Sequence, residues 1–180
     1  MRSEMRFAGF GGQGIISAGI ISGRAAALYD GKHAVLTQSY GPEARGGACN
    51  ANVIIAEDQI AYPEVVSPDL LVIMSQEAFN TFGEDIAEGG TMIIDQDLVE
   101  PTEIPPNIRL VEVPATMIAE GLGNKIIANV VVLGVVSALT DIVGKDAMLE
   151  SVRASVPTQF IEMNERAFKA GYEYGMGVGQ

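Results

Sequence analysis

Cysteine and histidine occur once each in this 180-residue chain, at Cys49 and His33, and tryptophan is absent. One cysteine excludes an intramolecular disulfide, and so small a stock of thiols and imidazoles excludes the clustered spacings of zinc and iron–sulfur sites. Basic residues are scarce too, with 11 Lys and Arg against 23 Asp and Glu, for a formal net charge of −12. Such a chain repels a phosphate backbone, which argues against nucleic-acid binding through a basic surface. The start, Met1 to Arg6, has no apolar stretch of the signal-peptide kind. The longest apolar run, Ile126 to Leu139, is broken by Asn129, Gly134 and Ser137 and falls short of the roughly 20 residues that span a bilayer. These absences predict a cytoplasmic chain without a membrane segment, in a reducing compartment.

What is present is aliphatic. Hydrophobic residues make up 48% of the chain and Phe, Tyr and Trp only 6%, a composition suited to one globular domain over residues 1–180. Apolar periodicity predicts a strand over 6–10, a helix over 14–29 and a strand over 34–37. Further strands are expected over 48–56, 70–74, 91–95 and 108–113. Helices are expected over 76–88, 114–120, 124–140, 145–155 and 158–174, with a flexible glycine-rich tail from about 175 to 180. The alternation predicts an α/β fold with a Rossmann-like βαβ opening.

Two glycine-rich clusters stand out. Gly9-Phe10-Gly11-Gly12-Gln13-Gly14 follows the first strand and opens the first helix, with the G-x-G-x-x-G spacing that allows a tight turn and leaves helix N–H groups free for an anion. Ser39-Tyr40-Gly41-Pro42-Glu43-Ala44-Arg45-Gly46-Gly47 follows the second strand. Two such loops this close together point to one shared ligand or interface edge. A dinucleotide would call for an acid at the end of the second strand, where Gln38 and Ser39 stand; Asp30 precedes the strand and belongs to the other end of the sheet. A different anion at the first loop, or glycines that merely let strand and helix pack closely, are the readings that remain.

No catalytic set is evident. His33 reads as a surface histidine and Cys49 as a buried, inert thiol. Arg45 can pair with Glu43 or reach a ligand phosphate or partner carboxylate with its planar fork, while Gly46 and Gly47 let another surface approach. Tyr40 is an interface anchor, a stacking ring or a packing residue. The apolar helix over 124–140 is either core or subunit interface.

With Gly-Phe-Gly-Gly-Gln-Gly at 9–14, Ser-Tyr-Gly-Pro-Glu-Ala-Arg-Gly-Gly at 39–47 and Ser-Gln-Glu-Ala at 75–78, the sequence resembles the gamma subunit of 2-oxoacid:ferredoxin oxidoreductases. Asn129 to Gly134 is also similar to that family. The resemblance implies a single three-layer α/β/α domain with a mostly parallel or mixed sheet, inactive alone. The complex would convert a 2-oxoacid to its acyl-coenzyme A and reduce ferredoxin. Alpha and beta subunits would carry thiamine diphosphate and Mg, and a ferredoxin-like delta subunit the 4Fe-4S clusters. The stretch Ile60-Ala61-Tyr62-Pro63 looks most like the 2-oxoglutarate branch, with the pyruvate and branched-chain branches open. In this light Gly9, Gly11, Gly12, Gln13, Gly14, Ser39, Tyr40, Glu43, Arg45, Gly46 and Gly47 are the candidate contacts, either to coenzyme A or to partner subunits. The isolated chain is expected to self-associate through the surface meant for partners.

Overall fold

The protein, described here from a computed structural model covering residues 1–40 and 48–179, is organised around one six-stranded sheet. In chain order its strands are β1 (Arg2–Phe10), β2 (His33–Tyr40), β3 (Ala48–Ala56), β4 (Leu70–Ile73), β5 (Thr91–Asp95) and β6 (Arg109–Val113). Its helices are α1 (Ile15–Arg24), α2 (Gln76–Phe82), α3 (Ala115–Gly121), α4 (Ala128–Leu139), α5 (Lys145–Ser155) and α6 (Ile161–Val178). A π-helical turn, Ala25–Tyr29, extends α1, so the expected helix over 14–29 is two kinds of helix in succession.

The sheet order is β2-β3-β1-β4-β5-β6. β1, β4, β5 and β6 run parallel, whereas β3 is antiparallel to both β1 and β2. The opening is β–α–β in chain order, as its periodicity predicts, but β3 is inserted between the two parallel strands. The connection from β2 to β3 is too short for a parallel crossover and long enough for an antiparallel return, so the chain doubles back beside β2. The sheet is therefore mixed, the second of the two expected forms.

Alternation along the strands sorts side chains to two faces. Met5, Phe7, Val53, Val72 and Ile93 join a core shared with α1, α4, α5 and α6, while Ala8, Leu71, Ile73, Met92 and Ile94 face α2. Parallel strands covered on both faces lack polar alternation, which is why β4 reads as an unbroken apolar run.

Every residue of α4 from Ala128 to Val136 is buried within this chain. That assigns the apolar helix to the core, at least over those residues. Its main neighbour is α6, and the two backbones nearly touch. A Cβ at Gly134 would collide with the Phe168 carbonyl, and one at Gly171 with the Val131 carbonyl. The glycines near the C-terminus correct one expectation, because residues 175–178 form the last turn of α6 rather than a tail. Glycine's poor helix propensity suggested otherwise, but Gly175 packs against Val135 and Ala138 and Arg109 donates to the Val178 carbonyl at 3.3 Å. No helix among the described residues is long and apolar enough to cross a membrane.

Candidate functional site

At the carboxyl edge of the sheet the start of the first glycine-rich cluster comes beside the strand that leads into the second. In the strand register Gly9 lies opposite Cys49, and Cys49 opposite Tyr40; one step inward, Ala8, Asn50 and Ser39 form the next row. β1 and β2 thus end side by side across β3, and Phe10 pairs with Ala48, the first residue of that strand. Ser39 is exposed at this edge. Glu43, Arg45, Gly46 and Gly47 lie outside the described residues.

The first loop is braced from three directions. Gln13 accepts a hydrogen bond from the Phe10 N–H at 2.9 Å and donates through Nε2 to the Met74 carbonyl, beyond the end of β4, at 2.6 Å. Both halves of its amide are spent on the backbone, which makes Gln13 a positioning residue. Gly9 leaves room for that amide, since a Cβ there would meet Gln13 and Ile15. Gly12 and Gly14 adopt φ of 96° and 73°, the left-handed region that favours glycine. Gly14 caps α1 without a side-chain acceptor, and its carbonyl receives the Asn129 Nδ2 at 3.1 Å. Gly11 and Gly12 form the exposed tip, with open space where a Cβ would stand.

Clefts open on both sides of this tip. One, of about 340 Å³, is bounded by Phe10, Gln13, Leu98, Thr116, Lys125 and Ile126. The other, of about 410 Å³, runs along α1 from Gly12 to Arg24. Phe10, Leu98, Met117 and Ile126 are all exposed despite their size. Sequence reasoning missed Lys125, Arg24 and Asn129 as site-forming residues. For Arg24 a signal existed: it falls on the same face of α1 as Ser17 and Ile20, at helical spacing after the glycines.

Two further polar groups are structural. Asp95, only 1% exposed at the end of β5, accepts from the Thr116 hydroxyl at 2.6 Å and the Asp97 N–H at 3.2 Å, and burial pushes its pKa up. Arg6 is buried on β1 and bonds Asn52 at 2.8 Å, Asp85 at 3.0 Å and the Val65 carbonyl at 3.0 Å. Cys49 is buried and its pKa is raised by that burial, as an inert thiol should be. His33 is exposed at the start of β2. Asp30 lies at the amino end, as its position before β2 requires, bonded to Lys32 at 2.8 Å and the Gly144 N–H at 3.2 Å. The Lys32 contact lowers its pKa.

Comparison with known proteins places this geometry. Residues 4–174 match the family described as pyruvate ferredoxin/flavodoxin oxidoreductase. The 2-oxoglutarate synthase subunit KorC of Methanocaldococcus jannaschii is 50% identical over 175 residues, covering 96% of this chain and 94% of that protein. KorC of Methanothermobacter marburgensis is 50% identical over 179 residues, covering 96% of each. The crystal structure of the gamma subunit of a keto/oxoacid ferredoxin oxidoreductase from Geobacter sulfurreducens superposes with a TM-score of 0.89 at 41% identity, over 98% of both chains. The sheet, the braced glycine loop and these likenesses agree: the chain belongs to the pyruvate ferredoxin/flavodoxin oxidoreductase family, as a gamma-type subunit of a 2-oxoacid:ferredoxin oxidoreductase.

Proposed function

We propose that the chain serves a complex that converts 2-oxoglutarate, coenzyme A and oxidised ferredoxin to succinyl-coenzyme A, CO2 and reduced ferredoxin. The observation that carries the substrate is the 50% identity, over nearly full length, to two subunits named for 2-oxoglutarate synthase. The chain contributes no cluster ligands of its own: one cysteine cannot supply the thiolates of a 4Fe-4S cluster. Among the described residues no three His, Cys, Asp or Glu side chains gather as a metal site. In this reading thiamine diphosphate, Mg and the clusters belong to alpha, beta and delta partners, as the family resemblance implies, and no chemical step is assigned to this chain.

Its part is to complete the site from the carboxyl edge. Gly11, Gly12 and Gly14, with the uncapped start of α1, present N–H donors to an anion, and Arg45 adds a planar cation for a coenzyme A phosphate. Ser39, Tyr40, Glu43, Gly46 and Gly47 are the further candidate contacts. A second reading, docking alone, draws on the exposed Phe10, Leu98 and Ile126 that line the adjacent cleft; large apolar side chains grouped this way suit a partner surface. Both readings are tested by isolating the tagged chain anaerobically from its native cell and assaying coenzyme A-dependent ferredoxin reduction with several 2-oxoacids. Co-purified larger subunits most active on 2-oxoglutarate are the expected result; a lone inactive chain would overturn both.

A further inference from the structure

The two edges of the sheet are built differently. β6, at one end of the strand order, has five residues and carries the exposed charges Arg109 and Glu112. It is overlaid by α6, whose Tyr174 hydroxyl donates to the Glu112 carbonyl at 2.9 Å. A short, charged and covered strand resists pairing with another chain. β2, at the other end, has eight residues that pair without a bulge with β3 alone. It holds no Lys, Arg, Asp, Glu, Pro or Gly. No strand among the described residues lies on its outer side, so alternate residues turn an N–H and a C=O outward.

Charge marks the same side of the molecule. Of the chain's 23 acids only Asp30 lies between Phe10 and Tyr40, and Lys32 and the Gly144 N–H already hold it. α1 and β2 therefore form a face nearly free of negative charge on a chain of net charge −12. That face is apolar as well. Ile20 and Leu28 are 40% and 70% exposed and line a groove of about 300 Å³ between α1 and β2, with Gly19, Gly23, Ala34 and Leu36. Arg24 borders the groove too, but its guanidinium bonds Ser155 and Ala154 of α5.

We propose that two copies of the chain pair antiparallel through β2 about a two-fold axis, joining two six-stranded sheets into one. A two-fold contact sets identical residues near one another, so charges on it repel, and an uncharged strand is what it needs. Two chains of net charge −12 repel elsewhere, and this face is where they approach at least cost. The dimensions fit. α1 rests chiefly on β3, and the two β3 strands would stand three strand spacings apart, about 14 Å. That slightly exceeds the width of a helix with its side chains, about 10–12 Å, so the protruding Ile20 and Leu28 of each copy bridge the gap. Strand and helix together bury roughly 500 Å² per copy, about 1,000 Å² in all, the lower bound of a specific interface. A dissociation constant in the micromolar range follows. Antiparallel pairing turns the two carboxyl edges to opposite ends, which leaves both free for the contacts proposed above; the pairing does not rest on those contacts.

Sedimentation velocity of the full chain from about 1 to about 200 μM tests the pairing, and a monomer–dimer equilibrium is expected. Thr37→Lys on β2 and Leu28→Lys beside it, both at exposed positions, should each raise the dimer dissociation constant about tenfold or more. Each also brings the net charge closer to zero, which by itself favours association, so weakening reports the local contact. Glu112→Lys on the covered edge changes the charge in the same sense and should not weaken the dimer. Amide exchange in β2 should slow as concentration rises. A chain that stays monomeric at about 200 μM, or a dimer indifferent to both β2-side substitutions, would overturn the proposal. Protection of β2 that appears only on adding the larger subunits would give the edge to a different partner and overturn it as well. Should a variant lose its fold, exchange in the parent decides: protection of β2 must grow with concentration, and its absence refutes the pairing.

Discussion

Asn129 and Gly14, 115 residues apart in sequence, are joined by a 3.1 Å hydrogen bond from the asparagine Nδ2 to the glycine carbonyl. Helix α4, buried in the core, thereby fixes the end of the loop that opens α1. The same asparagine occupies the space a Cβ on Gly14 would need. A left-handed φ and a steric conflict therefore coincide at one residue.

Gly14→Ala should cost about 2 kcal/mol or more, from the left-handed backbone and the collision together. Denaturant unfolding measures it. Asn129→Ala removes the obstruction, so a double-mutant cycle should show that the two losses are less than additive. Full additivity would mean that the loop does not depend on α4.

The crossing of α4 and α6 offers a paired test. Gly171→Ala drives a methyl into the Val131 carbonyl and should destabilise by about 3 kcal/mol, at the upper end of overpacking costs. Gly177→Ala lies in the same helix with open space where its Cβ would stand. It should be neutral or stabilise by up to about 1 kcal/mol through helix propensity. Equal effects would contradict the backbone contact.

Two aspartates should give opposite pH signatures. Burial raises the folded pKa of Asp95, so the folded state holds a proton that the unfolded chain has released. Stability from that group falls as pH rises from about 3.9 through the raised folded value. Asp30 is lowered by Lys32; its contribution is present above the unfolded pKa and is lost as pH falls through the folded one. Urea midpoints of Asp95→Asn and Asp30→Asn between pH 3 and 7 should therefore diverge from the parent in opposite directions with pH.

In the assembled complex, Arg45→Ala should raise the apparent KM for coenzyme A by about tenfold, the weight of a charge-assisted hydrogen bond. Assembly should be preserved. An unchanged KM removes Arg45 from ligand binding, and failed assembly makes its loop an interface element.

Local patterns were legible where local forces decide. Lys145–Ser155 matches its expected helix at both ends, and the apolar Leu70–Ile73 is the buried strand its composition implies. The glycine spacing after β1 foretold the turn but not its braces, because Gln13 finds Met74 and Asn129 finds Gly14 only through the tertiary fold. Glycines in α6 misled for a related reason: their low propensity is a property of the isolated chain, while their use is to admit α4's backbone. The groove along α1 is assembled from elements up to 150 residues apart, and no window of sequence contains it. Strand adjacency was equally hidden, since β–α–β order is the same whether or not a later strand is slipped between.

That inserted strand has a consequence for the order of events during folding. Until β3 is in place, β1 and β2 have no backbone partner in common, because each pairs with it and not with the other. The β2–β3 return closes over a short connection and the β1–β3 pairing over a longer one, so loop-closure entropy favours the return as the earlier of these two pairings. The segment that carries Glu43 and Arg45 is that connection. A longer or stiffer connection at that place should therefore slow the β2–β3 return, which stopped-flow refolding would detect.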